Sequence, residues 1–219
     1  MIQILWRRWR EAWQEEKKID LEWKEVMAFD FKKEYKEFYM PKNKPVIVNV
    51  PKANDIVIEK ASYMDAEAIL EYLKQLGGET DNLTFGVEGL PFTVEEEADY
   101  IRQLENSKNN VMFVAKDEGR IIGDASLTRL PRRMSHRGDF GIGVLREYWN
   151  HGIGSRLLGE VIEYAKENAF EIIDLQVRSD NTAAIHLYEK FGFQKIGTHN
   201  SFFKIGKEEI SFEYMYLKI

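Results

Sequence analysis

Two glycines one residue apart, Gly152 and Gly154, precede a stretch in which Leu157, Leu158, Val161, Ile162 and Ala165 recur at the helical period. Arg156, Glu160, Glu163 and Lys166 fall on the opposite side, so the glycines stand at the N-terminus of an amphipathic helix entered through Ser155. That end of a helix carries unpaired N–H groups and the positive pole of the helix dipole, and glycines without Cβ atoms let a phosphate oxygen come close to the backbone. The loop suits an anion; a plain tight turn is the alternative, and local physics does not separate the two. No Gly-Lys-Ser/Thr triplet is present, which disfavours a P-loop, and Leu157 stands where a dinucleotide fingerprint needs its third glycine.

Other chemistries are excluded more firmly. The chain has no cysteine, hence no disulfide, no thiolate metal site and no cysteine nucleophile. His136, His151, His186 and His199 have no metal-ligand spacing, so no metal is expected, and the absence of a Gly-x-Ser-x-Gly elbow disfavours a serine hydrolase. A net charge of −6 argues against nucleic acid and is compatible with a cationic or amine-bearing partner. No run approaches the roughly 20 apolar residues of a membrane span, and no signal-peptide pattern opens the chain, which points to the cytoplasm.

The elements that must position the glycine loop follow from periodicity and turn residues. Ile56, Ile58 and Ala61 alternate as a first strand, and Tyr63 to Leu76 predicts a helix ended by Gly77-Gly78. Thr93 and Glu96 form a capping box for a second helix through about Glu105. Val111 to Lys116 and Arg120 to Arg129 predict a hairpin around Asp117-Glu118-Gly119, and a strand from His136 to Leu145 feeds the loop. Gly138, Gly141 and Gly143 in that strand signal a bulge or a close backbone approach. Beyond the glycine helix come a strand from Ile172 to Arg178, a short helix, and two strands near 193–205 and 209–218 turning at Gly206-Lys207.

Residues 1–52 differ in kind. Four of the five tryptophans lie in the first 23 residues, and Ile2, Trp6, Trp9 and Trp13 share a helical face beside Arg7, Arg8 and Arg10. Such a stripe is buried on its own domain or on a second subunit, as in a homodimer, or docks at a membrane surface; Glu15 and Glu16 favour the former. Phe29 to Pro51 predicts a charged helix, a Pro/Lys/Asn turn and a strand from Val46 to Val50. Over about 25 residues this stretch resembles the opening of GyrI-like small-molecule-binding domains.

The stretch Val144 to Leu158, VLREYWNHGIGSRLL, resembles the acyl-CoA signature of the GNAT superfamily, the Gcn5-related N-acetyltransferases. In that signature an apolar strand end is followed by Arg/Gln-x-x-Gly-x-Gly/Ala at the start of a helix; Trp149 departs from it at the Arg/Gln position. The second half of the signature follows in order: the strand Ile172 to Arg178, Asp180-Asn181, a helix with Ala184, Ile185, Leu187 and Tyr188, and Phe191-Gly192-Phe193. The resemblance covers about Ile56 to Ile219. It implies an α/β (α+β) fold, a mixed and mostly antiparallel sheet flanked by helices, for an acetyltransferase domain over residues 53–219 with residues 1–52 as a helical extension.

The implied activity is direct transfer of the acetyl group of acetyl-CoA to a primary amine: a small metabolite, a polyamine, an antibiotic or a protein amine. A non-catalytic acyl-CoA or small-molecule sensor is the rival. By the resemblance, the backbone N–H groups of Asn150, His151, Gly152, Ile153, Gly154 and Ser155 surround the pyrophosphate, Val144 and Leu145 pair with the pantetheine arm, and the N–H of Leu145 faces the thioester oxygen. Asn181 contacts the cofactor and Tyr188 protonates the leaving thiolate, with no metal required. By spacing alone Asn181 reads first as a helix N-cap and Tyr188 as a core tyrosine. The bulge near Gly141 opens a slot between neighbouring strands, and Leu83, Phe85 and Phe92 line the acceptor side or simply pack as a lid. Asp139 is the first candidate for the base, ahead of His136 and Glu147.

Overall fold

The computed structural model describes residues 56–219. The aromatic stripe, the GyrI-like stretch and the expected boundary near 51–55 lie outside the described residues. Seven strands form one sheet in the order β1-β2-β3-β4-β5-β7-β6. They are β1 (Val57–Lys60), β2 (Asn110–Asp117), β3 (Arg120–Arg129), β4 (Arg137–Val144), β5 (Ile172–Arg178), β6 (Gln194–Ile205) and β7 (Glu208–Lys218). All neighbours pair antiparallel except β4 and β5, which are parallel.

Four helices cover the sheet: α1 (Ala66–Glu79), α2 (Val94–Glu105), α3 (Ile153–Glu167) and α4 (Thr182–Lys190). The apolar stripe of α3 is buried as the periodicity requires, with Leu157, Leu158, Val161 and Ala165 at 0% exposure. Thr93 caps α2 reciprocally: Thr93 Oγ1 accepts from the Glu96 N–H at 3.2 Å and Glu96 Oε2 accepts from the Thr93 N–H at 2.9 Å. Between β2 and β3, Glu118 and Gly119 have φ of +47° and +87°, the left-handed pair of a tight two-residue hairpin.

Helix bounds differ from expectation at both ends of α1, and α3 starts at Ile153 rather than Ser155. Tyr63–Asp65 is a 3-10 turn, and α1 runs through Gly77-Gly78 to Glu79 rather than ending before them. The glycine is needed for contact: a Cβ on Gly77 would lie 2.0 Å from the Gly86 carbonyl oxygen, so the loop after α1 folds back onto the helix where it has no side chain. Leu83, Phe85 and Leu90 of that loop pack against the core.

The two faces of the sheet are distinct. Gly123 and Val144 face α3, since a Cβ on Gly123 would meet Leu157 Cδ1 at 3.3 Å and Val144 Cγ2 at 3.4 Å. Gly143 faces α1: a Cβ there would meet Leu76 Cδ2 at 2.5 Å and the Tyr72 hydroxyl at 2.7 Å.

Candidate functional site

The strands β4 and β5 pair over three residues only, from Arg137↔Ile172 to Asp139↔Asp174. Beyond Asp139 they separate, while β5 remains zipped to β7 as far as Arg178↔Phe212. The closed end is clamped by Arg137, whose Nε and Nη2 donate to the two carboxylate oxygens of Asp174 at 2.7 and 2.5 Å. The result is a wedge-shaped gap beside Phe140 to Val144.

Strand phase decides which backbone groups face the gap. In an antiparallel ladder alternate residues turn both their N–H and C=O to the same neighbour. Arg137 O accepts from Leu130 N and the Leu145 N–H donates to Ile122 O, both at 2.9 Å, so the odd-numbered residues of β4 bond to β3. Ile142 and Val144 therefore turn their backbone groups toward the gap. This corrects the expectation for Leu145: its N–H is engaged with β3, its carbonyl accepts from the Tyr148 N–H at 2.9 Å, and its side chain is fully buried. The bare glycines of β4 hid the phase, because a residue without a side chain carries no inside-outside signal.

The polypeptide leaving β4 is tied down on several sides. The Arg146 N–H donates to Glu79 Oε2 at 2.7 Å, and the Tyr148 hydroxyl donates to Asp117 Oδ2 at 2.7 Å. The Trp149 indole N–H donates to the Val144 carbonyl oxygen at 2.7 Å. Asn150 and Gly152 then take left-handed φ of +64° and +78°, and the first helical bond runs from the Arg156 N–H to the Gly152 carbonyl at 3.1 Å. The N–H groups of Ile153, Gly154 and Ser155 precede that bond and have no helical acceptor. A Cβ on Gly152 would meet nothing within 4 Å, and His151 Nδ1 is buried with no partner among the described residues. This cradle of backbone donors can hold a phosphate-bearing ligand. Gly154 has a second role, since a Cβ there would press on Leu187 Cδ2 at 3.3 Å; its bareness also lets α4 pack close to α3.

Asn181 is the N-cap of α4, its side-chain oxygen accepting from the Ala184 N–H at 3.2 Å. Tyr188, two turns on, is 5% exposed and stands edge-on to Phe140 with ring centroids 6.2 Å apart, on the α3 side of the sheet. Burial pushes its phenol well above the ordinary value, so the hydroxyl keeps its proton at any physiological pH. The same burial makes that hydroxyl a weaker acid than a free phenol.

On the opposite face, under α1, β3 presents three buried polar side chains in a row: Asp124, Ser126 and Thr128, at 4%, 2% and 7% exposure. Their partners across β4 are Gly143, Gly141 and Asp139. Asp124 Oδ1 accepts from the Tyr72 hydroxyl at 2.8 Å, whereas the hydroxyl of Ser126 is buried with no partner among the described residues. Burial pushes the Asp124 carboxyl up to about 6, against a smaller downward pull from the Tyr72 hydrogen bond. Sequence reasoning missed Tyr72, Asp124 and Ser126. An unbroken polar alternation inside an otherwise apolar strand was the available signal.

The expected base candidates separate in space. Asp139 is buried on this same face at 7% exposure and accepts from Gln176 Nε2 at 3.3 Å, but it stands where β4 and β5 are still paired. His136 lies before β4, its carbonyl accepting from the Glu171 N–H at 2.8 Å, at the closed end of the sheet. Glu147 is an outer residue paired with Arg120 at 2.9 Å. Among the described residues no group of three or more histidine or acidic side chains is gathered as for a metal, and no helix is long and apolar enough to cross a membrane.

Comparison with known proteins gives a consistent match. The sequence model of the acetyltransferase (GNAT) family matches residues 81–193. An L-amino acid N-acetyltransferase, AaaT of Escherichia coli (strain K12), is 31% identical over 168 residues, which cover 74% of this chain and 97% of the relative. The N-alpha-acetyltransferase RimI of Mycobacterium tuberculosis is 33% identical over 109 residues; these span 49% of this chain and 66% of that relative's length, just under two thirds. The crystal structure of an acetyltransferase from Streptococcus pneumoniae superposes with a TM-score of 0.73 at 31% identity, covering 75% of this chain and 99% of that one.

Proposed function

The chain belongs to the acetyltransferase (GNAT) family, and from that premise we propose that it transfers the acetyl group of acetyl-CoA to the α-amine of an amino acid or peptide. The observation that carries this reading is the parting of β4 from β5 directly ahead of the glycine loop. The acetyltransferase domain occupies residues 53–219, residues 1–52 are an extension, and the enzyme works in the cytoplasm.

The residues fit an acyl-CoA. The N–H groups of Asn150 to Ser155 hold the pyrophosphate, helped by the α3 dipole, and the unpartnered His151 nitrogen lies within the same loop. Ile142 and the N–H of Val144 offer backbone groups to an amide-bearing arm in the gap, where no β5 partner competes. The Asn181 oxygen is engaged as a cap, which leaves its amide N–H groups for the ligand. Bound there, acetyl-CoA supplies the acetyl thioester, whose C–S bond breaks as the acceptor nitrogen forms the new C–N bond.

The protein's own residues do the rest. A ligand reaching the gap from the α3 side leaves the α1 side for the acceptor, and the buried carboxylates there favour a cation. Tyr188 gives its proton to the departing sulfur. The choice of an α-amine follows the relatives' named reactions and the acidic face.

Calorimetric titration with acetyl-CoA, for the wild type and for Ser155→Glu, tests the cofactor site. A glutamate in the first turn favours the helix but repels phosphate. Micromolar binding that weakens at least about 10-fold in a still-folded variant is expected, and a wild type that does not bind acetyl-CoA ends the reading. Thiol release with a panel of L-amino acids, short peptides and polyamines then tests the acceptor class; activity confined to polyamines would overturn the α-amine assignment.

A further inference from the structure

We propose that the group that takes the proton from the acceptor ammonium is Asp124, held in place by Tyr72, and that Ser126 is the acceptor's hydrogen-bonding partner beside it. The inference rests on the acetyltransfer reading and deepens it. Three independent observations converge on this row of β3.

Position comes first. Asp124 is paired across the ladder with Gly143, inside the stretch where β4 has left β5, while Asp139 pairs with Asp174 at the closed end. Asp139 is four residues from Gly143 along the strand, roughly 13 Å at the usual rise. Of the two carboxylates, Asp124 is the one level with the open part of the gap, one strand away across the bare Gly143. It also faces α1, away from the phosphate loop, where an acceptor must enter if the acyl donor occupies the other face.

Space is the second observation. Gly141 and Gly143 of β4 leave the ground between Ser126 and Asp124 free of side chains on that strand. A Cβ on Gly143 would already stand 3.1 Å from Asp124 Oδ1. With no side chain on Gly143, only the bare backbone of β4 lies between the carboxylate and the gap, while Tyr72 and Leu76 of α1 cover it from above.

The third is an unsatisfied group. Ser126 is 2% exposed and its hydroxyl is buried with no partner among the described residues, although a buried hydroxyl left unpaired is costly. Its neighbour along the strand is the buried carboxylate, and its neighbour across is a bare glycine. A polar ligand bound between them supplies the missing bond.

The electrostatic surroundings suit a proton acceptor. Facing Asp124 are Tyr72 and Leu76 of α1, Val114 of β2, Gly143 of β4 and Ser126 of its own strand. Glu79, one α1 turn from Leu76, acts on Tyr72 rather than on the carboxylate. No cation neutralises Asp124 among the described residues, so burial leaves it ionised at neutral pH yet basic enough to receive a proton. Two protons leave the acceptor ammonium during the reaction. Asp124 takes the first and passes it to water, and the second balances the one that Tyr188 gives to sulfur.

The test combines carbon-13 carboxyl titration of the protein alone with pH profiles of thiol release, using acetyl-CoA and the best L-amino acid of the panel. The expected profile of kcat/KM falls on the acid side with the titration of Asp124. Asp124→Asn loses that limb and at least about 100-fold in kcat/KM, with acetyl-CoA affinity within about 2-fold of wild type. Tyr72→Phe keeps the carboxylate but removes a hydrogen bond that favours its ionised form, so both the carboxyl titration and the acid limb move to higher pH together; this second variant serves if Asp124→Asn does not fold. Wild-type turnover that survives in Asp124→Asn within about 3-fold, with its acid limb unmoved, overturns the proposal and leaves the acetyltransfer reading intact. A wild type that releases no thiol with any amine overturns both.

Discussion

The indole N–H of Trp149 is donated to the carbonyl oxygen of Val144 at 2.7 Å, closing a ring of six residues between the end of β4 and the glycine loop. Val144 turns that carbonyl toward the gap, so the indole occupies an acceptor that an amide of the pantetheine arm would otherwise use. Removing the competitor in Trp149→Phe is expected to tighten acetyl-CoA binding by up to about 5-fold, the worth of one net hydrogen bond. Calorimetry checks this, and weaker binding in the variant would mean that the indole holds the loop in its binding shape instead.

Asp124 makes the protein less stable in its working form. Its carboxyl rises from 3.8 to about 6 in the fold, chiefly by burial, so the ionised form is penalised by on the order of 3 kcal/mol. The sign is that of an acid with a raised folded value: no penalty below about pH 4, where folded and unfolded chains are both protonated, and the full penalty above about pH 6. Asp124→Asn keeps an acceptor for the Tyr72 hydroxyl and is expected to gain roughly 2–3 kcal/mol at pH 7.5 and almost nothing at pH 4. Urea unfolding at the two pH values decides it; an equal effect at both would rule out the ionisation argument.

Tyr188→Phe removes one hydroxyl from a ring that stays packed against Phe140 and Phe193. Turnover should drop about 100-fold or more while acetyl-CoA affinity stays within about 2-fold. Unchanged turnover would argue for a binding module in place of an enzyme.

Two glycines should respond oppositely to alanine. At Gly143 a Cβ would lie 2.5 Å from Leu76 Cδ2 and 2.7 Å from the Tyr72 hydroxyl, so Gly143→Ala should destabilise by about 1–3 kcal/mol and disturb Asp124. At Gly159, inside α3, a Cβ would meet nothing within 4 Å, so Gly159→Ala should stabilise by about 0.5–1 kcal/mol. Thermal melts of the pair give the comparison.

What the sequence disclosed was what is local. The Thr93–Glu96 box, the Glu118-Gly119 turn, the buried stripe of α3 and the glycine loop are each set by residues a few positions apart, and each formed where expected. The site's other half depends on contacts that spacing cannot reveal. Tyr72 reaches Asp124 across 52 residues of chain, and the phase of β4 emerges only from its ladder with β3. Leu145 was misjudged for that reason, and Gly77-Gly78 looked like a helix end because the carbonyl that needs the bareness of Gly77, that of Gly86, belongs to a loop with no periodic pattern.

Mechanically, the sheet is two plates joined along three residues. One plate holds β1 to β4 and the other β5 to β7, and the Arg137–Asp174 ion pair fastens the joint. Asp139 and Val144 are five residues apart, a lever of about 17 Å, so a rotation of about 10° at that fulcrum changes the mouth of the wedge by roughly 3 Å. The joint thus sits at the far end from the opening, fastened by an arginine and an aspartate on neighbouring strands.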